Sequence, residues 1–498
     1  MSKLLLIASD GSERRVALVE NGALAEVFIE REQERGNVGS IYKGRVARVL
    51  PGMQAAFVEI GLSRAAFLYA ADARRLPELR EDGENGDPAE DASRELPPIQ
   101  SLVHERQELL VQVSKDPIGT KGARITTNIS LPGRHLVLMP TVDHIGISRR
   151  ILDEGERERL RKIVESIRPP SCGFIVRTVA EGQSEAELKA DMEFLLRQWE
   201  EISQNASSAS APSLIYRDLD VTLRAVRDML SDDCEQLLID NPSEFARVKD
   251  FVSTFAPSHS RSLELYQGSE PLFDAYGVEV ELDRALTRKV WLRSGGYLVI
   301  DQTEALTSID VNTGRFVGYR NLEDTISKTN LEAVKEVVDQ LRIRNIGGLI
   351  IIDFIDMERE ADRQKVWRTL QQALQADRAR TNVLEISELG LVEMTRKRVR
   401  PSLNQQLTDQ CPYCEGRGYL KSAATVSYDV LREIRRQAHE LPGDAIIVAV
   451  HPDVADRLAE DEPDYLAFLE QRLGKEIVVD AQADFHIEQF EIHVKFKQ

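Results

Sequence analysis

Asp310 and Asp353 each close a short apolar run: Thr307-Ser308-Ile309 leads to the first and Leu349 to Ile352 to the second. Two carboxylates brought together at strand ends repel unless something positive lies between them. A hard cation with oxygen ligands suits that position, and Mg²⁺ commonly takes one or two protein carboxylates plus waters and phosphate oxygens. Asn312 stands two residues beyond Asp310, on the same side of an extended segment, where its amide can hold a phosphate oxygen or a water. The same three residues also fit ordinary turn and capping chemistry at strand exits. A second constellation is Cys411-Pro-Tyr-Cys414. Two thiolates make half of a four-coordinate structural zinc site, so either two chains donate a pair each or the motif exchanges disulfides. Polar Asn404–Gln410 before it and Glu415-Gly416-Arg417-Gly418 after it suit a zinc knuckle better than the strand–motif–helix of a redox site. Thirdly, Phe57 and Phe67 fall among Lys43, Arg45, Arg48 and Arg64, with Glu59 the single acid of that stretch. Aromatic faces on basic strands suit stacking with single-stranded nucleic acid, although the same rings can serve as core.

The elements around the aspartates predict how they are positioned. Short Ile-rich runs bounded by glycine read as buried strands. Between them Leu331, Val334, Val338 and Leu341 recur at helical spacing. Such a strand–helix–strand unit sets both strand ends on one edge of a sheet, where open α/β sheets form their sites.

At 498 residues the chain is expected to hold several domains. No apolar run is long enough for a membrane span and the start has too short an apolar core for a signal peptide, so a cytoplasmic, membrane-free protein is expected. Four cysteines are too few for a disulfide scaffold. A net charge of -19 argues against a broadly basic nucleic-acid binder, but screening confines each charge and leaves local binding open. Part of the acid is concentrated: eight acidic residues lie between Glu78 and Glu95 against Arg80 and Arg94. That segment, 77–98, reads as a solvated loop.

IDVNTGRF, followed by TNLEAVKEVVDQLRIRNIGGLIIIDFIDM, resembles the catalytic region of the ribonuclease E/G family of endoribonucleases, and the resemblance runs through most of the chain. It implies a multidomain α/β architecture. Residues 1–36 and 214–285 together would form an RNase H-like structural fold, the strands Leu4–Ala8, Val16–Val19 and Leu24–Ile29 being too small a piece to bury a core alone. Residues 37–125 would be an S1-type OB barrel, 126–213 a 5′-end sensor and 286–405 a DNase I-like catalytic domain. The stretch 406–418 would be a zinc link and 419–498 a small α/β module, with strands at Ala445–Val450, Glu476–Val479 and Glu491–Phe496.

The resemblance also implies roles. Asp310 and Asp353 would hold catalytic Mg²⁺ with support from Asn312, while Cys411 and Cys414 would share Zn²⁺ with a second chain, making a homodimer. Phe57, Phe67 and Lys121 would contact single-stranded RNA, with Lys115 as a weaker addition. Arg177 and Thr178 would grip a 5′-monophosphate, Arg149 would support it, Gly133 and Val137 would face the terminal nucleotide, and Arg380 would add a further contact. A guanidinium fork beside a hydroxyl suits phosphate on its own chemistry. The run Thr395–Arg400 reads either as a solvated helical face or as a track along RNA, and Asn205–Ser213 as a loop or linker. The end at Gln498, without the long disordered scaffold tail of ribonuclease E, places the resemblance in the shorter branch of the family.

The function expected is Mg²⁺-dependent cleavage of single-stranded RNA, favouring 5′-monophosphorylated ends and leaving a 3′-hydroxyl and a 5′-phosphate. The substrates implied are rRNA precursors and mRNA, in rRNA processing and mRNA decay. Two other classes stand beside it: an RNA-binding protein that does not cut, and a thiol oxidoreductase working through Cys411 and Cys414.

Overall fold

In a computed structural model the chain is a mixed α/β protein of two compact units, residues 1–406 and 407–498. The structure describes residues 2–73, 97–117, 121–230, 233–314, 322–387, 389–398, 400–437 and 443–496. Nearly all of the acidic segment 77–98 lies outside them.

The chain begins with three antiparallel strands, Lys3–Asp10, Glu13–Glu20 and Ala23–Arg31. Asn21 and Gly22 join the last two with positive φ at both positions (51° and 77°), the turn whose twist matches that of the flanking strands. One face carries Leu5, Ile7, Val16 and Leu18, which need a cover supplied much later in the chain. Lys3–Asp10 takes Cys234–Ile239 as a parallel neighbour, and Leu263–Leu265 extends the sheet beyond it. The helices Val221–Met229 and Pro242–Phe255 close the core over that face.

Strands Ile41–Leu50, Ala55–Glu59, Ala66–Tyr69, Arg124–Thr126 and Glu108–Lys115 form a closed five-stranded barrel, because the first pairs with the last. Its interior is Val46, Ala56, Val58, Ala66, Leu68, Val111, Val113 and Ile125. A four-stranded sheet, Ile145–Ile147, Gly173–Val176, Leu136–Met139 and Leu131–Pro132, packs with helices Glu154–Ile167 and Glu185–Ser208. That second helix runs four residues into the expected loop 205–213. Ser207 and Ser208 return their hydroxyls to the Gln204 and Asn205 carbonyls, so the serines stay compatible with the last turn.

The remaining sheet of the first unit has six strands in the order Lys289–Trp291, Tyr297–Gln302, Leu306–Asn312, Gly348–Asp353, Leu391–Arg396, Thr381–Val383. Helices Leu322–Ile343 and Glu360–Leu374 cover one face, packing Val334, Val338, Leu341, Val366 and Leu370 on Leu298, Ile300, Ile309, Ile350 and Ile352. The run from Thr395 is no solvated helix. Leu391–Arg396 is a strand, Arg396 is buried in a two-pronged pair with Asp377, and the Arg400 guanidinium lies 3.7 Å from the Phe28 ring centroid.

In the second unit, helix Ala423–Gln437 precedes a three-stranded sheet with Ala445–Val450 at its centre. Glu476–Ala481 runs parallel to the central strand and Phe490–Lys495 antiparallel. Helices Pro452–Glu460 and Pro463–Leu473 complete its core.

Candidate active site

Period-two alternation places the chemistry on the open face of the six-stranded sheet. In Leu306–Asn312 the side chains of Thr307, Ile309 and Val311 turn inward, so Asp310 and Asn312 turn out; in Gly348–Asp353, Ile350 and Ile352 turn inward and Asp353 out. The helix between them makes the two strands parallel, and their register sets Asp310 directly opposite Asp353. Facing side chains on adjacent strands start about 5 Å apart. The Asn312 amide donates to the Asp310 carboxylate at 2.8 Å and fixes its orientation. Partial burial and then the charges of Asp310 and Asp356 push the Asp353 carboxyl up from its ordinary value. A concentrated negative field of this kind takes a cation.

Two contributors to this corner were missed in the sequence. Asp356 adds a third carboxylate charge; its signal was the repeat Ile-Asp-Phe-Ile-Asp over 352–356. Asn330 is fully buried, donates to the Ile355 carbonyl at 2.8 Å and accepts from the Ile355 N–H at 3.1 Å. It thereby pins the loop that carries Asp353 into Asp356. Nothing in its spacing announces that role.

On the barrel, Phe57 and Phe67 alternate with buried neighbours and lie half-exposed on the outer surface, not in the core. They are register partners with ring centroids 4.5 Å apart. Register continues the row to Arg48 beside Phe57 and to Arg124 beside Phe67, and from Arg124 to Lys115. Tyr69 extends it, its ring 6.3 Å from Phe67 and 5.1 Å from the Arg124 guanidinium. Lys121 is exposed just before Ala123, whose carbonyl accepts the Phe67 N–H. Lys43 and Arg45 belong elsewhere: both pair with Glu108 and donate to carbonyls of Ala209 and Ala211. Arg124 pairs with Asp72 at 2.7 Å while its guanidinium lies over Tyr69, and Arg48 ends the outward row beside Phe57.

The predicted phosphate pocket is assembled from distant segments. Arg177 and Thr178 follow strand Gly173–Val176, and Thr178 shares a hydrogen bond of 2.9 Å with Ser148. Arg177 Nη1 is already committed, to the Gly133 carbonyl at 2.6 Å and to Asp228 at 2.9 Å. Burial works against the Asp228 charge, yet Arg227 and Arg177 hold its carboxyl down at about 2. A side chain at Gly133 would collide with Asp191, whose carboxylate accepts the N–H groups of Arg134, His135 and Leu136. Val137 is half-buried between Pro132 and Ile175, and Arg149 is exposed. Arg150 donates to the Ala379 carbonyl and Arg378 to that of Asp228, which brings the exposed Arg380 into this neighbourhood.

In the second unit Cys411 is exposed and Cys414 half-buried. The Gly418 N–H points at the Cys414 sulfur (3.4 Å) and is the chief reason that thiol titrates below its ordinary value. Among the described residues no three His, Cys, Asp or Glu side chains form a metal-holding group. A tetrahedral site built on this pair would need two further donors.

Facing carboxylates on an open sheet, in a unit that also bears a barrel with a row of rings and cations, define the class first: a hydrolase for an anionic polymer. The comparisons agree. A model described as "Ribonuclease E/G family" matches residues 130–399, and one described as "RNase E/G, Thioredoxin-like domain" matches 410–495. Ribonuclease G of Escherichia coli K12 is 47% identical over 492 residues, covering 99% of both chains. Ribonuclease G of Haemophilus influenzae is 48% identical over 491 residues, 98% of this chain and 99% of its own. Ribonuclease E of Escherichia coli K12 is 40% identical over 441 residues, 88% of this chain and 41% of its own. The chain belongs to the ribonuclease E/G family and is an endoribonuclease.

Proposed function

We propose that this chain hydrolyses single-stranded RNA with Mg²⁺ held by Asp310 and Asp353, in the processing of rRNA precursors and the decay of mRNA. The register that sets the two carboxylates face to face carries the reading. Bound Mg²⁺ would supply positive charge to the scissile phosphate and a more acidic water. Asp310, oriented by Asn312, and Asp353 fix where that charge sits. Breaking the P–O3′ bond leaves a 3′-hydroxyl upstream and a 5′-phosphate downstream. The ring row Phe57, Phe67 and Tyr69, flanked by Arg48, Arg124, Lys115 and Lys121, binds the strand with little base preference.

The pocket of Arg177, Thr178, Arg149 and Arg380, bounded by Gly133 and Val137, favours a 5′-monophosphate. With Nη1 of Arg177 tied to Asp228, its Nε and Nη2 remain for phosphate oxygens. Cys411 and Cys414 of two chains share one Zn²⁺ and join a homodimer, expected in the cytoplasm. Irregular chain at Thr408–Gln410 enters the motif and turns follow it, which favours the knuckle over thiol exchange.

The test is cleavage of one single-stranded RNA bearing 5′-hydroxyl, 5′-monophosphate or 5′-triphosphate, with Mg²⁺ and with chelator. Fastest metal-dependent cutting of the monophosphate is expected. Cutting in chelator would overturn the metal reading, and indifference to the 5′ end would overturn the pocket.

A further inference from the structure

The open face of the six-stranded sheet carries more than carboxylates. Register carries the Asp310 row outward to Val299 and then Lys289, and the Asn312 row outward to Tyr297 and then Trp291. Lys289–Trp291 is the edge strand, so these side chains line the sheet's open border on the same face as Asp310 and Asp353. Trp291 is 55% exposed, an unusual amount for a tryptophan on a strand whose next residue inward, Val290, is fully buried. Its ring meets Tyr297 edge-on with centroids 5.4 Å apart, and Lys289 Nζ lies 4.0 Å from one centroid and 3.5 Å from the other.

We propose that Trp291 and Tyr297, with Lys289, form a base-stacking subsite for the nucleotides next to the scissile phosphate. The proposal rests on the nuclease reading and extends it. Successive strands lie about 4.8 Å apart, so Trp291 stands roughly 10 Å from Asn312 across the sheet, within reach of a nucleotide neighbouring the one cut. Exposed aromatics on an open sheet face are an established way to stack single-stranded bases. The sheet face is otherwise acidic around Asp310, Asp353 and Glu393, so a strand crossing it needs cations at the border. Lys289 and the exposed Arg293 in the following turn supply them. A flexible lysine over the rings holds the place of a base and, once displaced, lies free to meet a backbone phosphate.

Trp291→Ala removes an exposed ring and leaves the fold intact. Steady-state cleavage of a 5′-monophosphorylated oligonucleotide should show KM raised about five- to tenfold with kcat nearly unchanged, and Trp291→Phe should recover most of the loss. Oligonucleotides lacking one base at a time should reveal a position whose loss hurts the wild type but not Trp291→Ala. Equal cleavage by wild type and Trp291→Ala, or equal losses in both proteins at every position, would overturn the subsite. So would a changed sedimentation mass with cleavage unaltered, which would assign the border to a second copy of the chain. If the wild type cuts no RNA at all, the nuclease reading fails; normal cutting with Trp291 silent removes the subsite alone.

Discussion

The carboxylate pair and the arginine pocket reach their geometry by different routes. On the sheet, side-chain alternation and strand register bring Asp310, Asn312 and Asp353 together, with the Asn330 clamp behind them. Around Arg177 strand register aligns only Val137 and the start of the pocket. Gly133, Arg177, Asp228 and Arg378 come from four separate segments joined by ion pairs and bonds to carbonyls. A site built by register leans on few residues beyond the reacting groups, whereas a site built by ion pairs depends on many residues that never touch the substrate.

The largest test of that contrast is Asp310→Asn. Removing one carboxylate loses charge stabilisation worth several kcal/mol, so single-turnover cleavage should fall on the order of a thousandfold, while RNA affinity measured in chelator stays unchanged. Wild-type cutting would break the register argument at its centre. Asp228→Asn comes next. It strands the buried Arg227 guanidinium and should cost about 3 kcal/mol in a denaturant melt. It should also erase the 5′-monophosphate advantage while 5′-hydroxyl RNA is cut as before. Because the Asp228 carboxyl is held down at about 2, its stabilisation is fully present above the unfolded value near 4 and is lost as pH falls through about 2. The pH dependence of unfolding should lose that acid component in the variant.

A smaller effect is expected from Asn330→Ala, which leaves the Ile355 N–H unsatisfied. A cost of about 1–3 kcal/mol in thermal or denaturant unfolding, with slower cleavage at unchanged RNA affinity, would extend the sheet's dependence to one residue behind it. The smallest lies on the far side of the same helix. Burial first, then Glu336 and Glu20, push the Asp339 carboxyl up to about 6. A raised carboxyl stabilises the fold only while protonated, so this contribution falls as pH rises from about 4 to about 6. Asp339→Asn should therefore be more stable than wild type above pH 6 and match it below pH 4. A flat difference across that window would refute the assignment.

The sequence disclosed most where local periodicity governs. Apolar runs ending in Asp310 and Asp353 with a helix between them imply two strand ends on one sheet edge, and the register then sets the carboxylates opposite one another. The early hairpin advertised its uncovered face, and Cys234–Ile239 pairs with it. Reading was least successful where charged residues find distant partners. Thr395–Arg400 reads as a solvated face or an RNA track because its six letters hold four cations, yet Arg396 meets Asp377 in the interior and Arg400 covers Phe28. Lys43 and Arg45 make their strand basic in the sequence, but both are taken up by Glu108. Charge tells what a side chain can bind, and only the fold tells whether that bond is already made.

The knuckle that presents Cys411 and Cys414 owes its shape to a loop some seventy residues further along. His486 takes the Tyr413 carbonyl at 2.7 Å beside its ring, and Glu488 holds both Arg417 and the Lys421 N–H. With only Pro412 and Tyr413 between them, two thiols on an unsupported loop would otherwise sample many sulfur–sulfur vectors, each a configuration to be surrendered on binding. Here that loss of freedom has occurred during folding of the unit itself. Whatever the thiols grip thus meets a rigid template, and a chain shortened before Phe485 would offer the same two sulfurs as a loose tether.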